Sequence, residues 1–350
     1  MKRNETIPLI ILLIVSICTF VHVVNLMGYD EVFKFSGTRP STPFKTQAAL
    51  SKEGSASLAE GFLAPLEKEK AFTVIVLPDT QKYSAEFPHI MCNQTEWIVA
   101  NRERLNILFV SHMGDIVDDV EEEKQWKAAS ECMSRLDGKV PYGIIPGNHD
   151  QSSKVDFDMY NQYFPLSRFS THPSYGGNYK ENRNNYSIVT FEGKDFLFLN
   201  LEIEPTDDVL DWAAEVTRKN SSAYIIMTTH KYLPDYGSER DKKLEYRKTG
   251  NTGQKIWDKF IEESCNVNMT WSGHFHSKGG ENRITSEDKC GNTIYQITQD
   301  YQSQELGGSG KLRIYTFKPS EKLIDVKTYS PFLDMFETDK SSQFQIPLVY

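Results

Sequence analysis

Tyr142-Gly-Ile-Ile-Pro-Gly-Asn-His-Asp-Gln151 is the stretch of sequence around which the rest of the chain is organised. The apolar run from Val140 to Ile145 is typical of a buried strand, and it ends abruptly at Pro146-Gly147. Asn148 and His149 therefore fall on a tight turn at the carboxyl end of a strand. Taken alone, an Asn-His pair in a turn is more often a hydrogen-bonded loop than a site.

Other apolar runs of the chain end in the same way, each followed by Asp or His. They are Phe72 to Leu77 before Asp79, Ile107 to Val110 before Gly114-Asp115, Tyr224 to Met227 before His230, and Val267 to Trp271 before Gly273-His-Phe-His276. In an α/β sheet, the carboxyl ends of such strands meet at one edge, where ligands bind. Oxygen and imidazole groups brought together there predict a metal centre.

The five blocks, in this order, resemble the signature of calcineurin-like metallophosphoesterases over roughly residues 71–300. Three further segments are similar to secreted or surface-located members of that family: Pro78-Asp-Thr-Gln81, Leu199-Asn-Leu-Glu202 and Lys327-Thr-Tyr-Ser-Pro-Phe-Leu-Asp334. The resemblance implies a four-layer α/β/β/α sandwich. It also implies two divalent metal ions, Mn, Zn or Fe, that hold a phosphoester and activate a bridging water as the nucleophile.

Carried over residue by residue, the resemblance implies a role for each ligand. Asp115 would bridge the metals, Asp79 and His276 would serve the first metal, and Asn148, His230 and His274 would serve the second. Gln81 stands where many members of the family have His. We expect its carbonyl oxygen to ligate the first metal, and the alternative is that the first metal is bound loosely.

His149 is the candidate general acid, because it follows a predicted ligand directly and its ring can face the leaving oxygen. Asp118, three residues after the bridging Asp115, is expected to fix the tautomer of His149 with its carboxylate. Purple acid phosphatases carry a Tyr iron ligand at that position, so an Fe(III) site is disfavoured. His112 is interpreted as a buried hydrogen-bonding residue, and Arg183 as a surface partner of Glu181.

The predicted function is hydrolysis of a phosphoester, with a phosphorylated small molecule as the substrate. A phosphomonoesterase and a phosphodiesterase or nucleotide-hydrolysing enzyme are not separable from the sequence. A non-catalytic metal-binding surface protein is the alternative from another class, and Gln81 is its main support. The net charge of -9 argues against nucleic acid as a partner, since such binding needs clustered Lys and Arg.

The chain begins Met1-Lys2-Arg3 and is apolar from Ile7 to about Val24, which is close to the lower limit for a membrane span. Residues 1–29 are therefore a signal peptide or a signal anchor, and the lack of an Ala-x-Ala site favours the anchor. Residues 30–70 have the composition of a stem or linker, and residues 71–350 form the phosphoesterase domain with a C-terminal β-rich portion. A third hypothesis, a cytosolic regulatory phosphatase, requires the N-terminal segment to be a buried helix instead of a membrane signal.

Cysteine usage agrees with export from the cytosol through the secretory pathway. Outside the apolar segment there are four cysteines, and we expect disulfides between Cys92 and Cys132 and between Cys265 and Cys290. The glycosylation motifs at Asn93, Asn185 and Asn220 give modest support, whereas Asn268 falls inside a predicted core strand. The mature protein is thus expected to be secreted or anchored in a membrane by a single span.

Beyond Phe72, strand-like runs alternate with helical segments near 95–105, 118–136, 207–219 and 253–263, which predicts a sheet covered by helices. The acidic residues Asp118 to Glu123 suit the first turn of a helix. The polar and aromatic stretch 151–185 is predicted to be an ordered lid or pocket wall. After His276, short strands at 294–298, 312–317 and 323–329 are expected to extend or back a second sheet.

Overall fold

The structure is a computed structural model that describes residues 65–68, 70–153 and 156–349. The predicted signal or anchor segment, 1–29, and nearly all of the predicted stem, 30–70, lie outside the described residues. Among the residues that are described, no helix is long and apolar enough to cross a membrane.

The first sheet combines strands from the two ends of the described chain. Its strands are β1 Phe72–Leu77, β2 Ile107–His112, β3 Tyr142–Ile144, β11 Leu312–Lys318, β12 Leu323–Ser330, β13 Met335–Phe336 and β14 Gln343–Pro347. Their order is β13-β12-β11-β1-β2-β3, with β14 also paired to β12. β1, β2 and β3 are parallel, whereas β11 is antiparallel to β1. The late strands 312–318 and 323–330 therefore extend the first sheet.

The second sheet is built from the middle of the chain. Its strands are β4 Tyr175–Tyr179, β5 Asn184–Phe191, β6 Lys194–Leu201, β7 Tyr224–Thr229, β8 Val267–Ser272, β9 Glu281–Glu287 and β10 Thr293–Gln299. Their order is β4-β5-β6-β7-β8-β10-β9. The four central strands β6, β7, β8 and β10 are parallel. Their carboxyl ends therefore lie along one edge of this sheet.

Helices cover the outer face of each sheet. They are α1 Gln81–Glu86, α2 Pro88–Asn101, α3 Glu123–Ser134, α4 Asp158–Tyr163, α5 Asp207–Lys219 and α6 Gly253–Ile256, which continues as a π-helical turn, Trp257–Ile261. Short 3-10 turns occur at Leu166–Arg168, Glu181–Arg183, Glu305–Gly307 and Pro319–Glu321. α1 to α3 pack on the first sheet, and α5 and α6 pack on the second. The predicted four-layer α/β/β/α sandwich is confirmed.

β1 shows why the strands read as continuous apolar runs. Phe72, Val74 and Val76 face the core between the two sheets, whereas Ile75 and Leu77 face the helices on the other side. A strand that is buried on both faces needs apolar residues at every position. Across the core, the rings of Phe109 and Phe198 stack with centroids 4.1 Å apart. This packing holds the sheets face to face.

The acidic run before α3 lies outside the helix, contrary to the sequence-based expectation. α3 starts at Glu123, which is the one acidic residue in its first turn. The side-chain oxygen of Gln125 accepts hydrogen bonds from the backbone N–H groups of Asp118 (2.8 Å) and Asp119 (3.0 Å). These bonds replace a helical turn with a turn of irregular backbone.

The stretch 151–185 contains α4 and β4 in addition to loops. The hydroxyl of Tyr160 in α4 donates to the carbonyl of Ile144 at 2.9 Å, which fastens this stretch to the end of β3.

The strands β9, β13 and β14 were not predicted from the sequence. β9 reads Glu-Asn-Arg-Ile-Thr-Ser-Glu and lies at the edge of its sheet, where polar residues are tolerated and the apolar pattern is weak.

Both predicted disulfides are confirmed, since Cys92 is bonded to Cys132 and Cys265 to Cys290. One predicted glycosylation position is wrong for the folded chain. The Asn185 side chain is buried and donates to the carbonyls of Asn182 (2.9 Å) and Ile144 (3.3 Å), so it has no room for a glycan.

Candidate metal centre

Side chains from both sheets meet at the carboxyl ends of the parallel strands. Ligand atoms of Asp115, His230 and His274 all lie within 4.8 Å of one another. The Nε2 atom of His230 is 3.3 Å from Asp115 Oδ1 and 3.0 Å from Asn148 Oδ1. These four residues come from four different strand ends, after β2, β3, β7 and β8. We refer to them, together with Asp79, Gln81 and His276, as the candidate metal centre.

Asp79 borders this group from the end of β1. Its Oδ2 atom accepts a hydrogen bond from the backbone N–H of His274 at 3.0 Å, and its Oδ1 atom is 4.0 Å from Nδ1 of His230. Burial raises the pKa of Asp79 well above the ordinary range of an aspartate, and the carboxylates of Asp300 and Asp115 raise it further. Several carboxylates buried together are unfavourable unless a cation compensates their charge.

The protonation of two further candidate ligands, Asp115 and His274, suits a metal. Burial alone would raise the pKa of Asp115, but the adjacent His230 lowers it to about 2, so that this carboxylate is ionised. Burial, with the neighbouring His230, lowers the pKa of His274 to about 3, so that this ring is neutral. His230 itself has a raised pKa, because Asp115 outweighs the effect of burial. Ionised carboxylates and neutral imidazoles are the forms that bind metals.

Close backbone approach at the metal centre requires glycine. A Cβ atom at Gly147 would lie 2.1 Å from Asp115 Oδ1, and one at Gly273 would lie 2.1 Å from Asp79 Oδ1. Two non-glycine residues of the site also have left-handed backbones, Asp115 with φ 48° and His274 with φ 67°. Strained conformations of this kind persist where the surroundings enforce them, as they do at functional sites.

Asp150 holds two of the loops together. Its buried carboxylate accepts backbone N–H groups from Ile116 (2.9 Å), Val117 (3.1 Å) and Gly147 (2.8 Å). Burial, and then Asp115, raises the pKa of Asp150 to about 7. Sequence reasoning assigned Asp150 no role, although it completes the Gly-Asn-His-Asp block.

The donor set fits the divalent metals that the sequence analysis expects. Among the candidate ligands, three buried atoms have no hydrogen-bond partner in the described part of the chain: Asp79 Oδ1, Gln81 Oε1 and His276 Nδ1. Unpaired buried acceptors are rare in proteins and call for an unseen partner such as an ion. Carboxylate oxygen, amide oxygen and imidazole nitrogen together suit Mn, Zn or Fe.

Two predicted ligands lie apart from the compact group of Asp115, His230 and His274. Burial raises the pKa of the Asp300 carboxyl, and the hydrogen bonds of Gln302 and the ring of His276 oppose that shift. Gln81 lies at the start of α1, where its amide nitrogen donates to Gln302. The two residues belong to the side of the site that Asp79 occupies.

Asp300 and Gln302 are the residues that sequence reasoning missed on that side. The fully buried carboxylate of Asp300 accepts from the backbone N–H and from the side-chain Nε2 of Gln302, each at 2.9 Å. A signal was present, because Asp300 follows the strand-like run that became β10, as Asp79 follows β1. β10 is parallel to β8, so its carboxyl end opens on the same edge as His274 and His276.

His149 and Asp118 lie beside the metal centre, both partly exposed. His149 Nδ1 is 2.6 Å from the backbone carbonyl of Asp118 but 4.0 Å from its carboxylate, which instead pairs with Lys82 at 2.8 Å. The backbone oxygen of Asp118 therefore sets the tautomer of His149. The carboxylate of Asp118 was expected to do so. The backbone N–H of His149 donates to Asp115 Oδ1 at 2.9 Å.

Two subsidiary predictions can be compared with the structure. His112 is buried and hydrogen-bonded, with Nε2 2.9 Å from Thr80 Oγ1, as expected. Arg183 pairs with Glu202 at 3.2 Å, and the expected pairing with Glu181 is wrong. Glu202 is fully buried at the end of β6 and draws both Arg183 and Arg247 inward, which the local sequence around Arg183 does not reveal.

A loop between β7 and α6 forms one wall of the site, and it too was missed. The Tyr246 ring lies edge-on to His274, with centroids 5.7 Å apart. Glu204, fully buried, accepts the backbone N–H groups of residues 245, 246 and 247 at 2.8 to 3.0 Å. Its carboxylate also pairs with Lys231 at 3.2 Å. The position of Tyr246 is therefore fixed by buried charge.

Known proteins share this sequence pattern and fold. Residues 72–278 match the family model described as calcineurin-like phosphoesterase. The "uncharacterized protein YvnB" of Bacillus subtilis (strain 168) is 35% identical over 276 residues, which are 77% of this chain and 21% of that protein. The chain thus spans about a fifth of the length of that curated relative.

Among solved structures, the purple acid phosphatase PPD1 from yellow lupin (Lupinus luteus) seeds has a similar fold. The TM-score is 0.50 at 12% sequence identity, and the match covers 81% of this chain and 55% of that chain. At this identity the likeness concerns the fold alone.

Replacing Gly147 by Ala should weaken metal binding, because the new Cβ atom would displace the carboxylate of Asp115. We expect a loss of at least about tenfold in Mn²⁺ affinity, similar to that caused by removing an outer-shell partner. Isothermal titration of the metal-free protein measures it. Gly138→Ala is the control for backbone strain without a steric clash, since Gly138 has φ 67° and a Cβ there meets nothing within 4 Å. Equal affinities in the two variants would contradict the assigned close approach.

Proposed function

The chain belongs to the calcineurin-like phosphoesterases and is a metal-dependent phosphoesterase, and from this premise we propose that its hydrolytic site is the candidate metal centre, with His149 as the general acid. The family resemblance read from the five motif blocks is thereby confirmed. The observation that carries the proposal is the meeting of Asp115, His230 and His274 within 4.8 Å, from strands far apart in the sequence.

We assign the ligands to two positions. Asp79, Gln81 and His276 would hold the first cation, Asn148, His230 and His274 the second, and Asp115 would serve both. The unpaired atoms of Asp79, Gln81 and His276 support the first position, and the contacts of His230 with Asp115 and Asn148 support the second. Cations bound there would polarise the phosphoryl oxygens and lower the pKa of water, so that a nucleophile exists near neutral pH.

The chain's own contribution to proton transfer comes from His149. A carbonyl oxygen can only accept a hydrogen bond, so Nδ1 of His149 donates to the backbone of Asp118, and Nε2 is left as the atom that delivers a proton. The carboxylate of Asp118 lies 4.0 Å from Nδ1 of the same ring. His149 would protonate the departing alcohol oxygen, and its partial exposure leaves that alcohol a way out.

Location outside the cytosol is part of the same proposal. Two disulfides support it, because such bonds persist in oxidising compartments and are rare in the cytosol. The basic and apolar start of the sequence, from Met1 to Val24, agrees with export by a signal peptide or an anchor.

Metal removal tests the reaction. After chelation, the full-length chain should hydrolyse neither para-nitrophenyl phosphate nor its bis ester, and added Mn²⁺, Zn²⁺ or Fe²⁺ should restore activity towards at least one of them. Elemental analysis should find two equivalents per chain, fewer in Asp115→Asn, and two again in the control Asp119→Asn at an exposed position. Absence of turnover with every metal would refute the proposal.

Removing the general acid should cost more for a poor leaving group than for a good one. His149→Ala is expected to lower kcat by about 10²- to 10⁴-fold for a phenyl ester, but far less for the para-nitrophenyl ester, while metal content is unchanged. His172→Ala is the control, since that ring bonds to Ser174 away from the metal centre. Equal losses for the two esters would exclude proton donation by His149.

Protease protection tests the location. When the full chain is made in the presence of microsomes, residues 71–350 should resist added protease until detergent opens the vesicles. Digestion while the vesicles are intact would place the domain in the cytosol and overturn this part of the proposal.

A further inference from the structure

Two glutamine side chains face each other beside Asp79. Gln81 and Gln302 are both buried, and the amide nitrogen of Gln81 donates to the amide oxygen of Gln302. We propose that Gln302 is a positioning residue that orients the amide of Gln81, so that Gln81 presents oxygen to the first metal position. This inference deepens the proposed function and rests on it, because it assumes that a cation binds beside Asp79.

The carboxylates around Gln302 determine which way its amide points. Its Nε2 atom lies 2.9 Å from Asp300 Oδ2 and 3.3 Å from Asp79 Oδ2. With a cation bound beside Asp79 both carboxylates are ionised, and an ionised carboxylate only accepts hydrogen bonds, whereas an amide NH₂ offers two donors. If the amide of Gln302 were flipped, its oxygen would lie against one carboxylate oxygen of Asp79 and one of Asp300. Nε2 must therefore face Asp79 and Asp300, and Oε1 of Gln302 must face the other way, towards Gln81.

The orientation of Gln81 follows from that of Gln302. An amide oxygen can be met only by a donor, so Gln81 turns its Nε2 towards Gln302. Its own Oε1 is left buried with no hydrogen-bond partner among the described residues. Asp79, two positions earlier, also has a buried oxygen without a partner. Two such oxygens on one short segment suit a shared cation better than any neutral neighbour.

Asp300 anchors this arrangement to the sheet. It accepts from both the backbone N–H and the side chain of Gln302, so that Gln302 is held at two points. Asp300 immediately follows β10, the neighbour of β8, and β8 leads to His276. A chain of hydrogen bonds thus runs from a sixth strand end to Gln81. Outer partners of this kind orient ligands and tune the metal.

The consequence is a preference for harder metals at the first position. An amide oxygen favours Mn²⁺ over Zn²⁺ in comparison with an imidazole nitrogen, which is the ligand that Gln81 replaces. An imidazole at this position would not depend on an amide partner to choose its ligating atom. Replacing Gln302 should therefore weaken metal binding when residue 81 is Gln, and should weaken it much less when residue 81 is His.

A double-mutant cycle on the full-length chain tests this dependence. The variants are Gln302→Met, Gln81→His and the two combined, and the measurements are Mn²⁺ and Zn²⁺ dissociation constants by titration calorimetry. In the native background, Gln302→Met should weaken Mn²⁺ binding at one of the two sites by about 10- to 100-fold. In the Gln81→His background, the loss of Mn²⁺ affinity caused by the same change should be at least about fivefold smaller, and the affinity for Zn²⁺ should rise relative to that for Mn²⁺.

Two further variants separate positioning from folding. Gln302→Asn keeps the amide but is one methylene shorter, so it should lose contact with Gln81 and repeat the affinity loss. Gln304→Met is the control, because the amide of Gln304 contacts Gly279 and Lys311 and no proposed ligand. Thermal unfolding of each variant shows whether it is folded.

Equal losses of affinity in both backgrounds would show that Gln302 acts on the fold or on Asp79 alone, and would overturn the inference. No loss in either background would overturn it as well. In both cases the native chain would still bind two metals and hydrolyse phosphoesters. If the native chain bound no metal, the proposed function would fail first.

Discussion

Buried negative charge is the constraint on which the rest of this structure depends. Asp79, Asp115, Asp150 and Asp300 are all fully or almost fully buried near one edge of the two sheets. Burial raises the pKa of Asp79, Asp150 and Asp300, whereas Asp115 is kept ionised by His230. A core that gathers carboxylates in this way loses stability unless donors and cations compensate them. Divalent metals bound at the site would compensate the negative charge of these carboxylates.

Backbone N–H groups around the site compensate part of the negative charge of the buried carboxylates, and the same hydrogen bonds make the loops of the site rigid. Asp150 and Glu204 each accept three backbone N–H groups, and each thereby fixes loops that follow different strands. Gly147 and Gly273 allow the neighbouring carboxylates to approach the main chain. Preorganised loops on a rigid double sheet restrict where the candidate ligand side chains can lie, which favours binding of a cation.

Several elements of the fold and the site were readable from the sequence. β1 and β2 could be predicted as buried strands because every position up to Ser111 is apolar or small, and α5 was evident from its apolar face and acidic start. The sequence singled out several candidate ligands because each follows such a strand: Asp79, Asp115, Asn148, His230 and the last His pair. The edge strand β9 was not predicted, because its apolar pattern is weak, and the late start of α3 was not, because it depends on the side chain of Gln125. The partner of Arg183 was not predicted, because the fold brings Glu202 to it from the end of β6.

The sequence by itself determined the kind of chemistry, since residue types and strand ends specify a cluster of oxygen and imidazole ligands without any knowledge of distances. Only the tertiary structure decided which atoms of these residues face one another. It turned the backbone carbonyl of Asp118 towards His149, and it placed Gln302 between Asp79 and Gln81. The physical reason is that hydrogen-bond direction depends on donors and acceptors brought together by folding, and Gln302 lies 221 positions from Gln81 in the chain. No local pattern records a contact of that range.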